Sequence, residues 1–360
     1  MKKNFQPVFD KGQRTLRTVD DLANEGFVLS TERQSLESVA ELYEIAVTPE
    51  VTKIIDKNDA NDPIAKQYLP SVKELKILPE ERQDPIGDYA HSPVKALVHR
   101  HRDRVLLKVT HSCAVYCRFC FRRDMVGADG DAITQTDIDQ ALDYIVQHDE
   151  ISEVILTGGD PLILAPKKLG ALINRLQTIP HVKWLRIHTR IPAVAPEKID
   201  SDMLEALSTI KPVLMAVHIN HAREMTVNVG AALARLAHQG IMLLGQSVLL
   251  KGVNDNVGAL QELFETMLQH RIKPYYLHHP DLTVGTSHFR MSLEEGMALM
   301  NTLRQHVSGI AIPNYVLDIP GGYTKIPLTS DYVRLHPTQP NTYFLTEPGG
   351  KEHMYHDILG

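Results

Sequence analysis

The chain has 360 residues, 43% hydrophobic and 23% charged, proportions ordinary for a globular protein. Its 38 Lys and Arg stand against 44 Asp and Glu, a net charge of −6, which leaves no overall electrostatic footprint for nucleic acid. No stretch approaches the roughly 18 consecutive apolar residues of a membrane span, and the polar start Met1-Lys-Lys-Asn-Phe-Gln6 lacks the apolar run of a signal peptide; no nucleic-acid or membrane partner is expected, and a cytoplasmic location is.

Residues 1–85 read as a helical N-terminal region. Apolar residues from Ser35 to Tyr43 recur at helical spacing, and Pro49, Pro63, Pro70 and Pro79 punctuate the stretch beyond them. No catalytic constellation is visible there, so a helical cap packed on the main domain is expected. From residue 104 strands and helices alternate. Arg104-Val-Leu-Leu-Lys-Val-Thr110 reads as the first strand and Thr136 as the N-cap of the first helix. Glu153-Val-Ile-Leu-Thr157 is the next strand and runs into Gly158-Gly159. Further strands are expected near 184–189, 213–218, 241–247 and 274–279, and the clearest helices at Leu260 to His270 and Leu293 to Val307. About six such β-α units predict an α/β fold, a partial (β/α)6 TIM-like barrel whose chemistry collects at the C-terminal ends of its strands. The expected division is a helical region at 1–85, a barrel core at 86–312 and a short C-terminal segment at 313–360.

The only cysteines are Cys113, Cys117 and Cys120, spaced C-x3-C-x2-C just after the first core strand. With no others to pair with, they are a poor disulfide framework. Three thiolates on one loop can hold three irons of a four-iron cluster and leave the fourth iron open to a small molecule. A structural zinc site with His111 as fourth ligand is the competing reading, but such sites usually draw on two separated ligand pairs. Further on, Tyr315-Val-Leu-Asp318 reads as a strand, followed by the turn Gly321-Gly322 and then Lys325. Most lysines are solvated surface groups; one held after such a turn can form a Schiff base with an aldehyde cofactor.

Taken together, these segments resemble the lysine 2,3-aminomutase family of the radical S-adenosylmethionine (SAM) superfamily. The similarity runs from about Asp84 to Pro327. It includes Arg100 with Arg104-Val105, Cys113 to Arg123, Thr157-Gly158-Gly159-Asp160-Pro161, Gln246-Ser-Val-Leu-Leu250, Pro274-Tyr-Tyr276 and Gly285-Thr-Ser-His-Phe-Arg290, in the family's order. The resemblance implies a [4Fe-4S] cluster on Cys113, Cys117 and Cys120 and SAM on its open iron. Gly158, Gly159 and Asp160 would form the turn that approaches the methionyl amino group. Pyridoxal 5′-phosphate (PLP) would form its Schiff base with Lys325. Arg100 resembles a contact to the PLP phosphate, and His218 and Gln246 resemble residues near the SAM ribose and the cofactor junction. Arg122 would grip the substrate carboxylate, a planar anion suited to an arginine fork. Asp281 and Asp318, each at the end of an expected strand, would hold the distant ammonium of lysine. His278 and His279 look like metal ligands, yet no metal set is complete around them.

The implied reaction is an isomerisation in which reductive cleavage of SAM starts the migration of the 2-amino group of L-lysine to C3, giving β-lysine. An electron donor such as flavodoxin or ferredoxin is expected. The longer family members carry a C-terminal zinc-binding cysteine cluster, whereas here no cysteine follows Cys120 and the tail after Lys325 is short. A homo-oligomer is compatible with the resemblance, but not readily one built through that tail. In size the chain resembles the short members that supply β-lysine for modification of elongation factor P. An aminomutase for another amino acid such as arginine is a further alternative, and two acidic residues argue against glutamate. A non-enzymatic iron–sulfur carrier fits poorly with three cysteines and Lys325.

Overall fold

The computed structural model describes residues 14–126, 132–329 and 332–357. The N-terminal part holds four short helices, α1 (Val19–Asn24), α2 (Arg33–Ala40), α3 (Pro49–Thr52) and α4 (Ala65–Tyr68). The hairpin β1 (Leu97–His101) and β2 (Arg104–Thr110) follows, and then the alternation begins: α5 (Gln135–Gln147), β3 (Glu153–Gly158), α6 (Pro166–Gln177), β4 (Trp184–Thr189), α7 (Ile191–Val194), α8 (Ser201–Ala206) and β5 (Val213–His218). It continues through α9 (Val227–His238), β6 (Met242–Val248), α10 (Val257–Gln269), β7 (Ile272–His278), α11 (Leu293–Leu303), β8 (Asn314–Asp318) and β9 (Lys325–Pro327). Strands β10 (Val333–Leu335), β11 (Thr342–Thr346) and β12 (Glu352–His356) form a separate antiparallel sheet.

Strands β1 to β9 make one sheet in sequence order. Strands β2 to β8 run parallel, each displaced by a helical crossover, and an antiparallel strand flanks them at either edge. The sheet does not close on itself: β1 and β9 are its two ends. Six β-α units therefore span β2 to α11, the partial barrel read from the sequence. Asn314–Asp318, read there as part of the C-terminal segment, pairs as a seventh parallel strand.

Period-two alternation sorts the strand residues between two environments. In β4, Leu185, Ile187 and Thr189 are buried, while Arg186 and His188 line the interior cavity. The outer helices answer with apolar stripes at i, i+3, i+4 and i+7: Ile138, Ala141, Leu142 and Ile145 on α5, and Leu260, Leu263, Phe264 and Met267 on α10 are buried. Hydrophobic burial between sheet and helices is thus the main support of the barrel wall, and the inner face is left free for polar groups.

The cap of α5 differs from expectation. Thr134, rather than Thr136, caps it through a reciprocal box, with Asp137 N donating to Thr134 Oγ1 at 3.2 Å and Thr134 N donating to Asp137 Oδ2 at 2.8 Å. Thr136-x-x-Asp139 offers the same spelling, but Asp139 is engaged by Arg175 of α6 at 2.6 Å. The N-terminal segment also does more than cover the barrel. Leu16, Val19, Leu22, Val47, Ile64 and Tyr68 join the same apolar core as the barrel helices. No described helix is long and apolar enough to cross a membrane.

Candidate active site

A cavity of about 550 Å³ occupies the inner face of the sheet, within the usual size range of small-molecule sites. Cys113, Cys117 and Cys120 line it, as do Lys325, Arg122, Asp281 and Asp318. So do Arg100, Gly158, Gly159, Asp160, His218 and Gln246. Every site residue expected from the sequence therefore borders one space.

The cysteine loop leaves β2 and is held from both sides. Tyr116 N donates to Ala46 O at 2.9 Å and Arg118 N to Gln67 O at 2.9 Å, both carbonyls of the N-terminal segment. The Arg118 side chain is buried and donates to both Glu74 oxygens at 2.6 to 3.1 Å, and Arg123 donates to Glu74 Oε2 at 2.5 Å. One buried carboxylate thus pairs with two arginines that flank Cys120. From the other side, Gly159 N donates to Thr110 O at 2.6 Å and Asp160 N to Ser112 O at 2.9 Å. A Cβ on Gly158 or Gly159 would overlap those carbonyls, so the glycine turn is required by its own contact with the cysteine loop. That is a cause inside the protein, additional to the approach to SAM expected from the resemblance. Asp160 is likewise engaged within the protein: its carboxylate accepts from Thr189 Oγ1 at 2.7 Å, Arg190 N at 2.6 Å and Leu162 N at 3.0 Å.

Burial pushes all three thiols above their ordinary range, Cys113 strongly and Cys120 to about 11. They are neutral thiols until a metal's positive charge favours the thiolate. Among the described residues, no group of His, Cys, Asp and Glu closes round a single metal ion. Three thiols lining one cavity match the three protein ligands of an open four-iron cluster, whereas a structural zinc site takes four. His278 and His279 point to opposite sides of β7: His278 lines the cavity, and His279 Nδ1 lies 2.8 Å from Tyr315 Oη.

Lys325, on the lining of the same cavity, does not sit in an open loop. It begins β9, directly across the hairpin from Asp318, with which it forms an ion pair. Gly321 and Gly322, both at positive φ of 98° and 88°, make that hairpin turn. His278 Nδ1 lies 3.4 Å from Asp318 Oδ2. Burial would raise the Asp318 carboxyl, but His278 and Lys325 outweigh it and hold the group well below the usual carboxylate range. Asp281 lies in the loop beyond β7 rather than at the strand end. Burial and the neighbouring Asp318 push its carboxyl up to about 7.

Arg122 and Arg100 meet through a residue that sequence reasoning missed. Asp88 accepts from Arg122 Nε at 2.9 Å and Nη2 at 2.7 Å, and from Arg100 Nη2 at 3.1 Å. Asp88 is nearly fully buried; burial would raise its carboxyl, but the charges of Arg122, Arg100 and Lys108 hold it below its ordinary value. Asp88 thereby occupies the Nε edge of Arg122, while Nη1 lies 3.3 Å from Thr157 Oγ1. Arg100 Nε is buried without a hydrogen-bond partner among the described residues, a polar orphan suited to an oxyanion. Segment 82–88 also ties the sheet edges together: Arg82 N donates to Leu282 O at 2.7 Å and Gly321 N to Pro85 O at 3.1 Å. Gly87 packs so closely on Gly321 and Gly322 that a Cβ there would overlap them. His218 Nε2 lies 3.2 Å from Asn220 Oδ1, and Gln246 is its register partner on β6; burial holds His218 neutral.

Comparison with known proteins agrees with this geometry. Residues 107–257 match the radical SAM superfamily model and residues 300–340 the lysine-2,3-aminomutase model. The L-lysine 2,3-aminomutase of Clostridium subterminale is 37% identical over 318 residues, 88% of this chain and 76% of that one. The chain belongs to the lysine 2,3-aminomutase family of radical SAM enzymes. The L-lysine 2,3-aminomutase of Escherichia coli is 38% identical over 81% of this chain and 85% of its own. The glutamate 2,3-aminomutase of Clostridioides difficile is 34% identical over 88% and 74%. The aminomutase family uses a [4Fe-4S] cluster, SAM and PLP, and the residues present fit all three. Three thiols and the Lys325 amine line one cavity, and an unpartnered Arg100 nitrogen is available to a phosphate.

The signal that could have found Asp88 is faint, an isolated acid after Gly87. Arg190 and Glu224, which pair behind the cysteine loop at 2.8 Å, were also missed. Arg190 follows directly on β4, at a strand end where barrel chemistry concentrates.

Proposed function

We propose that this chain moves the 2-amino group of L-lysine to C3 and so produces β-lysine. The observation that carries the reading is a pair of acids, Asp281 and Asp318, sharing a cavity with Arg122, Lys325 and three thiols. In this reading Cys113, Cys117 and Cys120 hold the cluster, Lys325 holds PLP, and Arg100 takes the phosphate. Gly158, Gly159, Asp160, His218 and Gln246 border SAM. When bound, the cluster with SAM supplies a hydrogen-abstracting radical, and the pyridoxal ring supplies electron delocalisation at the migrating nitrogen.

The chain's own contribution is placement and exclusion of water. Arg122, braced by Asp88, presents its remaining edge to the substrate carboxylate. Asp281 and Asp318 receive the ε-ammonium, which fixes C2 and C3 inside the cavity that Lys325 and the three thiols line. Asp318 already pairs with one ammonium, that of Lys325, so it is suited to a second when Lys325 is otherwise engaged. The same two acids disfavour glutamate, whose side chain carries the wrong charge. The three free thiols suit a reducing cytoplasmic setting, with an external one-electron donor of the flavodoxin or ferredoxin type.

Anaerobic reconstitution with iron, sulfide, PLP and SAM, followed by product analysis on L-lysine, L-arginine and L-glutamate, tests the reading. β-Lysine is the expected product. Turnover of glutamate alone, with lysine untouched, would overturn it.

A further inference from the structure

A buried charge network stands against the middle cysteine, and Arg190 at its centre also lines the cavity. Arg190 Nη1 lies 3.1 Å from Cys117 Sγ. The same guanidinium donates through Nη2 to Gln67 Oε1 at 2.7 Å and to Glu224 Oε2 at 2.8 Å. Glu224 is nearly inaccessible, and it accepts further from Asn220 N at 2.9 Å, His221 N at 3.0 Å and Tyr68 Oη at 3.1 Å. The rings of Tyr68 and Phe119 lie 4.7 Å and 5.2 Å from the guanidinium carbon. The two terminal nitrogens of Arg190 are thus held by chain elements far apart in sequence, the N-terminal segment, the cysteine loop and the turn after β5, while its Nε has no hydrogen-bond partner among the described residues.

A guanidinium carries its charge at every accessible pH. Held in a poorly screened interior at hydrogen-bond distance from a sulfur, it favours negative charge on that sulfur. Reducing an iron–sulfur cluster adds one electron, shared between its irons and sulfurs, and donors to those sulfurs raise the reduction potential. Glu224, bonded to the other terminal nitrogen of the guanidinium, carries the opposite charge and opposes that effect.

We infer that Arg190 is a positioning residue which, acting through Cys117, raises the one-electron reduction potential of the cluster, and that Glu224 moderates it. This rests on the reading that Cys117 is a cluster ligand. The electron comes from an external low-potential one-electron donor, which is oxidised as the cluster is reduced; Arg190 transfers neither electron nor proton.

The test uses the full chain, reconstituted anaerobically, with cluster type established by Mössbauer spectroscopy and potential by redox titration followed by electron paramagnetic resonance. Arg190→Gln should raise the ratio of oxidised to reduced cluster at a fixed potential at least tenfold, a downward shift of about 59 mV for a one-electron couple. Glu224→Gln should move the ratio the opposite way, and Arg190→Lys should lie nearer wild type than Arg190→Gln. A loss of packing would not give opposite signs at the two positions. An unmoved potential in Arg190→Gln, or shifts of the same sign in both variants, would overturn the inference while leaving the cofactor reading in place. A wild-type chain that takes up no four-iron cluster would overturn both. Should Arg190→Gln fail to load, Arg190→Lys and Glu224→Gln decide: an upward shift in the second with little change in the first supports the inference, and any other pattern overturns it.

Discussion

Asp281 and Asp318 share one end of the cavity yet titrate in opposite directions. Asp318 is held ionised by His278 and Lys325, whereas burial and Asp318 itself push Asp281 up to about 7. Asp281 is therefore protonated in the folded chain at mildly acid pH, where the unfolded chain, with a carboxyl near about 4, would be ionised. The folded state binds more protons, so this site's contribution to stability is full at low pH and falls as pH rises towards 7. For binding the sign is reversed: above 7 the carboxylate is available to an ammonium. The apparent KM for lysine should fall as pH rises from 6 to 8, and Asp281→Asn should flatten that dependence while raising KM throughout. Initial rates across that pH range check it. Lys325→Ala should abolish turnover and the visible absorbance of lysine-linked pyridoxal, and leave the iron–sulfur absorbance in place. Persistence of wild-type turnover would remove Lys325 from its role. At this scale the cysteines and Lys325 were legible in the sequence because their chemistry is packed into a few adjacent positions. Asp88, Glu74 and Arg190 were not, because a lone acid or arginine in sequence is indistinguishable from a solvated one. Their meaning comes from partners 12 to 123 residues away.

The barrel strands and helices were readable because each carries one periodicity, two or 3.6 residues, that burial enforces against the neighbouring layer. The N-terminal elements were read only as a cap. Their helices are short, α3 and α4 having four residues each, and the groups that matter lie between or just beyond them. Glu74 is the clearest case, a fully buried carboxylate facing Arg118 and Arg123. Glu74→Gln leaves two buried guanidiniums without their counter-charge, a change that costs about 3–5 kcal/mol. Chemical denaturation should record that loss, accompanied by reduced iron uptake because both arginines flank Cys120. An unfolding midpoint equal to wild type would show that the pair is not what anchors the loop. Thr134 and Thr136 mark a finer limit: two equivalent capping sequences overlap, and the choice falls to a tertiary contact, Arg175 on Asp139, that local sequence does not contain.

At the scale of the molecule, the two ends of the chain are held very differently. The N-terminal segment contributes to the main core, whereas the β10–β12 sheet leaves Val333, Leu335, Met354 and Tyr355 half or more exposed. A chain ending at residue 331 should still fold, take up iron and unfold in one transition. A chain lacking residues 1–80 should lose soluble expression or iron uptake, since the cysteine loop loses Ala46, Gln67 and Glu74 together. Size-exclusion chromatography with iron analysis distinguishes the two outcomes, and an iron-replete, monodisperse product from the second truncation would refute the anchoring role of the N-terminal segment.

The sheet's open seam has a mechanical consequence. Since β1 and β9 do not pair, the arginine side and the lysine side keep their spacing through residues 82–88, which grip Arg100 and Arg122 by Asp88 and the lysine hairpin by Pro85 and Gly87. A single protease cut within that short segment would leave every strand ladder intact and still unhook one side from the other. Such a nicked chain should keep its circular dichroism and lose its hold on any molecule that must touch both.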